Sequence, residues 1–447
     1  MSFTDLYRAH IRQLAENYVR LMQNASLDAI VLHSGRAAKR TQFDDQYWPL
    51  RPVPHFQHWA PIQEADNFVV VLATGEVVLF RKRITSFWER PARLDCAHVL
   101  EVLNWKQFEN VTDVRTSLPK GRVSIISEDQ TVADDLHVPR EWVNEASILS
   151  ALDPLRARKT AYEARCIAIA NERAASGHRA LFDAFANTNA SELDLHLLYL
   201  RATSQDDPET PYKNIVALGD NAAILHHISY EKTPRAVAAH SLLVDAGATC
   251  FGYCSDITRT WVKGSDAPST LFRALVLRVE AMQMRLCDRV TLGEPYETLH
   301  NEAHREVATI LRDLEVISVD ENEAVDTGVT RTFFPHGLGH SLGLQCHDIG
   351  CAEMPTTTKN TVLRANFVIK PGQIFTIEPG VYFIDTLLAQ AKADDRRAAI
   401  RWDIVEQLAP LGGVRIEDDV RVTDEAAAIE NYTRVSLPKG GGHVNDS

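Results

Sequence analysis

Two glutamates stand inside runs that otherwise read as buried strand: Glu378 in IFTIEPGVY and Glu417 in GGVRIEDDV. A carboxylate among Ile, Phe and Val is costly unless it is paired, hydrogen-bonded or bound to a metal. Strand alternation also allows either one to face solvent. Two aspartates share the pattern. Asp245 ends the apolar strand SLLVDAG and Asp256 begins DITRTWV, with FGYCS between them as a hairpin connection. Asp beside Gly is also ordinary turn chemistry, so neither aspartate is diagnostic alone. Four such carboxylates carry the charge that neutralises two divalent cations.

The segment HGLGHSLGLQCHD adds His336, His340 and His347, interleaved with Gly337, Gly339 and Gly343. His336 and His340 have the i, i+4 spacing of a zinc-binding helix, but Gly337 stands where that motif puts its glutamate. GLGHSLG imitates a dinucleotide fingerprint, yet no strand precedes it and no βαβ unit surrounds it. Four carboxylates and one imidazole give mainly oxygen ligation, which favours a hard or borderline ion such as Mn²⁺. Two metals about 3.5 Å apart lower the pKa of a shared water, and hydrolysis is the natural chemistry.

The rest of the chain bounds this reading. At 447 residues and 45% hydrophobic, it is long enough for two cores. A formal charge of −13 gives no footprint for nucleic acid or an anionic membrane. No stretch approaches the roughly 18 apolar residues of a spanning helix. The N-terminus lacks the basic and apolar regions of a secretory signal, so a soluble cytoplasmic protein is expected. Seven dispersed cysteines are expected to be reduced thiols; Cys250/Cys254 and Cys346/Cys351 are too loosely spaced for a closed zinc site.

Apolar periodicity predicts a helix over 4–23, then strands in DAIVLHS, NFVVVLATGEVVLF and GRVSIISE. A long helix is predicted over 159–185, with the domain boundary at 155, just beyond Pro154. Further helices run through SELDLHLLYLRATSQ and 270–288, with strands at NIVAL, SLLVDAG and TRTWV. The last hundred residues read as short strands and glycine turns, with one helical excursion over 385–410. The tail from Lys439 reads as disordered.

The ordered set VDAG…SDITRTW, FPHGLGHSLGLQCHD, FTIEPG and VRIEDD resembles the pita-bread metallopeptidases, most closely the bacterial prolidases (Xaa-Pro dipeptidases) and their organophosphorus acid anhydrolase relatives. The likeness implies an α+β protein: an N-terminal creatinase-like mixed α/β domain over 1–155 and a C-terminal pita-bread catalytic domain over 156–447. It implies that Asp245, Asp256, His340, Glu378 and Glu417 bind two metal ions, with Asp256 and Glu417 bridging. A bridging hydroxide then attacks the peptide carbonyl while Glu378 handles the proton. His226, His336 and His347 match the family's histidines that contact substrate or stabilise the tetrahedral intermediate, and His227 is structural.

Arg364 matches the position that reads a free C-terminal carboxylate, Arg415 the second active-site arginine, and Tyr212 and Tyr296 the pocket tyrosines. Asp45 in FDDQYW resembles the acid that meets the substrate's ammonium group from the neighbouring subunit of a homodimer, with Trp88 nearby. The expected substrate is therefore an Xaa-Pro dipeptide, with organophosphate hydrolysis as a side activity. Two other readings are an aminopeptidase P acting on longer peptides and a non-catalytic peptide-binding module. Arg364 argues against the first, and retention of all five ligand types against the second.

Overall fold

The computed structural model describes residues 2–88, 96–355, 357, 360–423 and 429–444. Its first helix, α1 (Phe3–Ala25), opens on a capping box in which Ser2 and Asp5 satisfy each other's backbone N–H groups. Tyr7, Leu14, Tyr18 and Leu21 recur at helical spacing on its buried face. Five strands follow: β1 (Ala29–His33), β2 (Phe68–Leu72), β3 (Val77–Lys82), β4 (Asn104–Phe108) and β5 (Val123–Ile126). They form one sheet in the order β4-β3-β2-β1-β5, with β1–β5 and β3–β4 parallel and the other pairs antiparallel. Val31, Phe68, Val70, Phe80 and Ile125 fill the core on one face.

The chain divides into two compact units, Met1–Arg165 and Cys166–Ser447. The division falls inside α2 (Ala161–Asn187), beyond the boundary read at 155. Next come α3 (Glu192–Thr203), β6 (Ile215–Leu218), β7 (Ser241–Asp245), β8 (Thr258–Val262), α4 (Ala267–Asp288) and α5 (Tyr296–Asp313). The last hundred residues give β9 (Ile374–Ile377), β10 (Gly380–Tyr382), α6 (Asp385–Ala393), α7 (Trp402–Leu408), β11 (Gly413–Arg415), β12 (Asp418–Val422), β13 (Ile429–Asn431) and β14 (Gly441–His443). The expected helical excursion is α6 and α7, inserted between β10 and β11, which pair antiparallel.

Four sheets carry the second unit among the described residues: β14-β8-β7-β6, β9-β12-β13, β10-β11, and a two-stranded antiparallel ribbon of Thr249–Cys250 with Tyr253–Cys254 in the connection between β7 and β8. The tail read as disordered from Lys439 is instead ordered through 444. Gly441–His443 pairs in parallel with β8. A Cβ on Gly441 would lie 2.1 Å from the Thr260 carbonyl oxygen, so the glycine that suggested disorder is what permits the close pairing.

Candidate active site

β7 and β8 pair in register, with Asp245 opposite Thr258, and Asp256 lies in the connection just ahead of β8. The two glutamates sit where strands change partners: Glu378 between β9 and β10, Glu417 between β11 and β12. Pro379 removes a ladder donor at the first break. At the second, the Glu417 N–H donates to the Thr258 carbonyl at 3.1 Å, tying it to the aspartate-bearing strands. Gly339 brings in the histidine. Any Cβ there would stand 2.1 Å from the Thr376 carbonyl oxygen and 2.4 Å from the Tyr296 hydroxyl. The segment therefore lies against β9, where the Thr376 N–H donates to the His340 carbonyl at 2.9 Å.

These elements enclose a cavity of about 270 Å³, lined among others by His226, Asp245, Asp256, His336, His340, His347, Arg364, Glu378, Arg415 and Glu417. The ligand atoms of Asp256, His340 and Glu417 lie within 4.8 Å of one another. His340 Nε2 is 3.4 Å from Asp256 Oδ2 and 3.8 Å from Glu378 Oε1. His340 Nδ1 donates to the Ser341 carbonyl at 3.0 Å, which aims Nε2 at the carboxylates. Four carboxylates and one oriented imidazole around one cavity fit a pair of divalent cations by charge and by donor type.

Burial pushes the Glu417 carboxyl well above its usual range, and the charges of Asp256, Glu378 and Asp245 push it further. Burial likewise raises Glu378 and Asp245, although His340 and Arg415 oppose it for Glu378 and Arg415 for Asp245. Asp256 is held low. Burial works against its charge, but His340, Cys346 and Tyr212 together outweigh it. Burial also opposes a charge on His340, yet contact with Asp256 raises the imidazole to about 9. Without cations, the cluster gathers protons.

That has a measurable consequence. A carboxyl whose folded pKa is raised stabilises the fold below its unfolded pKa and loses that stabilisation as pH rises through the folded value. A histidine raised to about 9 acts in the same direction. Chelator-treated protein should therefore melt at progressively lower temperature between neutral pH and about 9, and the gap to metal-loaded protein should widen. Neutral histidines that feel none of these groups, such as His10 and His55, contribute equally to both forms. A gap that stays constant with pH would contradict this account.

The supporting residues are fixed by hydrogen bonds. The Tyr212 hydroxyl lies 2.7 Å from Asp245 Oδ1 and 2.5 Å from Asp256 Oδ1, so it spans both carboxylates instead of lining the cavity. Arg415 is 4% exposed and no surface arginine. Its Nη2 meets Asp245 Oδ2 at 2.6 Å, its Nε donates to Thr258 Oγ1 at 3.1 Å and its Nη1 to the Tyr382 hydroxyl at 3.1 Å. The Thr258 hydroxyl in turn donates to Glu417 Oε2 at 2.6 Å.

His336 lines the cavity with both ring nitrogens engaged: Nδ1 with the Gly337 carbonyl and Nε2 with the Tyr382 hydroxyl, each at 2.8 Å. Burial pushes its pKa down to about 3, so the ring is neutral. His226, His347 and Arg364 are exposed at the rim, and Arg364 Nη1 donates to His347 Nδ1 at 3.1 Å. His227 is buried against Glu192 at 2.7 Å, a structural contact. Tyr296 is fully buried behind the wall, its hydroxyl donating to the Thr376 carbonyl at 2.7 Å. Asp45 and Trp88 lie in the first unit, both exposed, and Gln46 Nε2 donates to Asp45 Oδ1 at 3.2 Å.

Several supporting residues have no site role in the sequence reading. Cys346 places its Sγ 2.8 Å from Asp256 Oδ2. Tyr382 joins Arg415 to His336. Asp419, fully buried, accepts from the Asp256 N–H at 3.1 Å and from Asn171 Nδ2 at 2.7 Å. Asp418, also fully buried, meets Arg259 at 2.9 Å and Arg434 at 2.7 Å. The run Glu417-Asp418-Asp419 held a usable signal, because consecutive strand residues point to opposite faces and cannot all reach solvent on one side.

The profile of metallopeptidase family M24 matches residues 165–424, and that of the Xaa-Pro dipeptidase N-terminal domain matches residues 5–153. The chain is 38% identical over 439 residues to the Xaa-Pro dipeptidase of Shewanella pealeana, covering 96% of this chain and 97% of that protein. It is 37% identical to that of Pseudoalteromonas translucida, covering 96% and 98%. Among solved structures, a variant of Escherichia coli aminopeptidase P superposes with a TM-score of 0.71 at 22% identity, over 97% of this chain and 96% of that one. Proline aminopeptidase P II from Yersinia pestis gives 0.72 at 22% identity, over 98% of each. At that identity these two structures establish the α+β pita-bread fold. The chain belongs to metallopeptidase family M24, among the members that carry the Xaa-Pro dipeptidase N-terminal domain.

Proposed function

We propose that this enzyme hydrolyses Xaa-Pro dipeptides at a centre where Asp245, Asp256, His340, Glu378 and Glu417 would hold two divalent cations, Mn²⁺ foremost. The observation that carries the reading is the convergence of these five donors on one small cavity with Arg364 at its rim. A volume of about 270 Å³ falls just below the roughly 300–1,000 Å³ of sites for drug-sized ligands, which suits a dipeptide. Cations bound there would supply the Lewis acidity that polarises the scissile carbonyl and activates water.

The chain's own residues do the rest. Glu378, one of the carboxylates lining the cavity, takes a proton from the attacking water and returns it to the proline nitrogen. Arg415 holds Asp245 in place and, through Thr258, Glu417. Tyr212 fixes the spacing of the two aspartates. His226 and His347 contact the substrate at the rim and donate to the oxygen on which charge develops. His336, its nitrogens already engaged, forms the wall beside Glu378 at 3.8 Å. Arg364 grips the free carboxylate with the planar fork that suits two oxygens. Tyr296 acts from behind, holding the strand against Gly339.

By the same family likeness, the protein works in the cytoplasm as a homodimer in which Asp45, with Trp88 beside it, meets the substrate ammonium group in the neighbouring subunit. Organophosphate esters are side substrates of the same centre.

The test compares Ala-Pro, Ala-Pro amide and Ala-Pro-Ala with Mn²⁺-loaded protein. A hydrogen bond to a charged group is worth about 1.5–3 kcal/mol, so losing the carboxylate should lower kcat/KM by about 10- to 100-fold. Arg364→Leu should cost a similar factor on Ala-Pro and erase the preference over the amide. Equal cleavage of the tripeptide and the dipeptide would contradict the reading and indicate an aminopeptidase P activity.

A further inference from the structure

Beside the proposed binuclear centre, and sharing two of its ligands, lies a set of softer donors. His340, Cys346 and His347 present ligand atoms within 4.8 Å of one another. Cys346 Sγ stands 2.8 Å from Asp256 Oδ2, and His340 Nε2 stands 3.4 Å from the same oxygen. The His340 and His347 rings are 4.3 Å apart in a T-shaped arrangement. The loop that carries them is closed on itself and pinned to its neighbours. The Asp348 N–H donates to the Ser341 carbonyl at 3.0 Å, the Gly343 N–H to the Gln345 carbonyl at 3.1 Å, and the Cys254 N–H to the Gly343 carbonyl at 2.8 Å. The donors are therefore held in place before any ion arrives.

Two imidazoles, a thiol and a carboxylate oxygen form a donor set of a different character from the carboxylate-rich centre. Sulfur and nitrogen ligands favour Zn²⁺ and Cd²⁺ over Mn²⁺, and affinity along the divalent series moves the same way. We propose that His340, Cys346 and His347, with Asp256, form a thiophilic metal site that overlaps the binuclear centre, so that a soft divalent ion captured there takes His340 and Asp256 away from a hard one. Capture forms a metal–sulfur bond as the thiol proton leaves to solvent, and no electron is transferred. His347 also carries the Arg364 contact at 3.1 Å, so an ion held there sits beside the carboxylate-reading arginine as well as the metal centre. The inference rests on the binuclear reading only for what is displaced, since the site itself is defined by its own four donors.

Cd²⁺ alone is the probe, added both to chelator-stripped and to Mn²⁺-loaded full-length protein. The expected result with either form is a near-ultraviolet thiolate-to-cadmium absorption band that saturates at one Cd²⁺ per chain. Mn²⁺-loaded protein should release manganese in parallel, read from the electron paramagnetic resonance of aqueous Mn²⁺. Cys346→Ser should remove the band and raise at least tenfold the Cd²⁺ needed for the same release, while Cys254→Ser and Cys351→Ser keep both. Alkylation of the wild-type protein, mapped by mass spectrometry, covers the case of a variant that fails to fold: Cd²⁺ should protect Cys346 and leave Cys351 reactive. A band that survives Cys346→Ser in folded protein, or Cys346 alkylated at the same rate with and without Cd²⁺, would overturn the proposal. Protein that shows the cadmium band but never retained Mn²⁺ would uphold the thiophilic site and sink the binuclear reading instead.

Discussion

Glu417→Gln is expected to lower kcat/KM for Ala-Pro by about three orders of magnitude or more, because a metal centre supplies several kcal/mol of transition-state stabilisation and each 1.36 kcal/mol is tenfold. Glu417 is 2% exposed and crowded by Asp256, Glu378 and Asp245, a concentration of negative charge that bound cations would balance. The amide keeps the shape and can still accept from the Thr258 hydroxyl. It removes one of the four charges that would hold two dications and so weakens retention of the pair. The same substitution deletes a buried acid whose ionisation burial opposes. Metal-free Glu417→Gln should therefore melt no lower than metal-free wild type at neutral pH. Calorimetry and a dipeptide assay read the two arms separately. Activity within tenfold of wild type, or a collapse in metal-free stability, would contradict the assignment.

Arg259→Leu should cause a large loss of a different kind. Arg259 is fully buried, paired with Asp418 Oδ1 at 2.9 Å, and its Nη1 donates to the carbonyls of Thr258 and Glu417, each at 2.9 Å. Removing one partner of a buried ion pair costs about 3–5 kcal/mol, since the remaining charge has no solvent to return to. Asp418 keeps Arg434, Asn431 and Gln283, which places the cost at the lower end. About 3 kcal/mol corresponds to a fall of roughly 6–12 °C in melting temperature for a unit of this size. Lysine should rescue little, because it lacks the planar fork that reaches Asp418 and two carbonyls together. A fall below about 2 °C would show that the pair is dispensable. The variant should also bind metal more weakly, because the Glu417 carbonyl loses its guanidinium donor.

The parts of this fold that were legible are those in which a residue's neighbours along the chain decide its fate. Tyr7, Leu14 and Tyr18 recur at helical spacing, and α1 follows. Asp245 and Asp256 flank a short connection, and β7 and β8 pair as a hairpin. Glu378 and Glu417 stood out because apolar residues surround them. What the chain could not disclose by itself was convergence across long separations. The Thr258 hydroxyl meets Glu417 across 159 positions, and Cys346 meets Asp256 across 90. Such contacts depend on strand register and crossing, which local pattern does not fix. The five proposed ligands were therefore named through family likeness, while Tyr382, Arg259, Asp418 and Asp419 required the structure.

The glycine-rich tail failed for a related reason. KGGGHVNDS has the composition of a flexible terminus, yet Gly441 is small because β14 lies almost on the backbone of β8. The family likeness makes Tyr296 a pocket residue, whereas α5 buries it behind β9, with its hydroxyl on the Thr376 carbonyl. Its signal was real, since it braces the approach that Gly339 permits, but sequence gave no way to tell the cavity wall from the layer behind it.

The most direct test of the account is a titration of chelator-stripped protein with Mn²⁺, following Ala-Pro hydrolysis and bound metal together. No hydrolysis is expected without metal, and activity should climb to a plateau at two Mn²⁺ per chain. Full activity in the stripped protein, or a plateau reached at a single ion, would contradict a binuclear centre built on Asp245, Asp256, His340, Glu378 and Glu417.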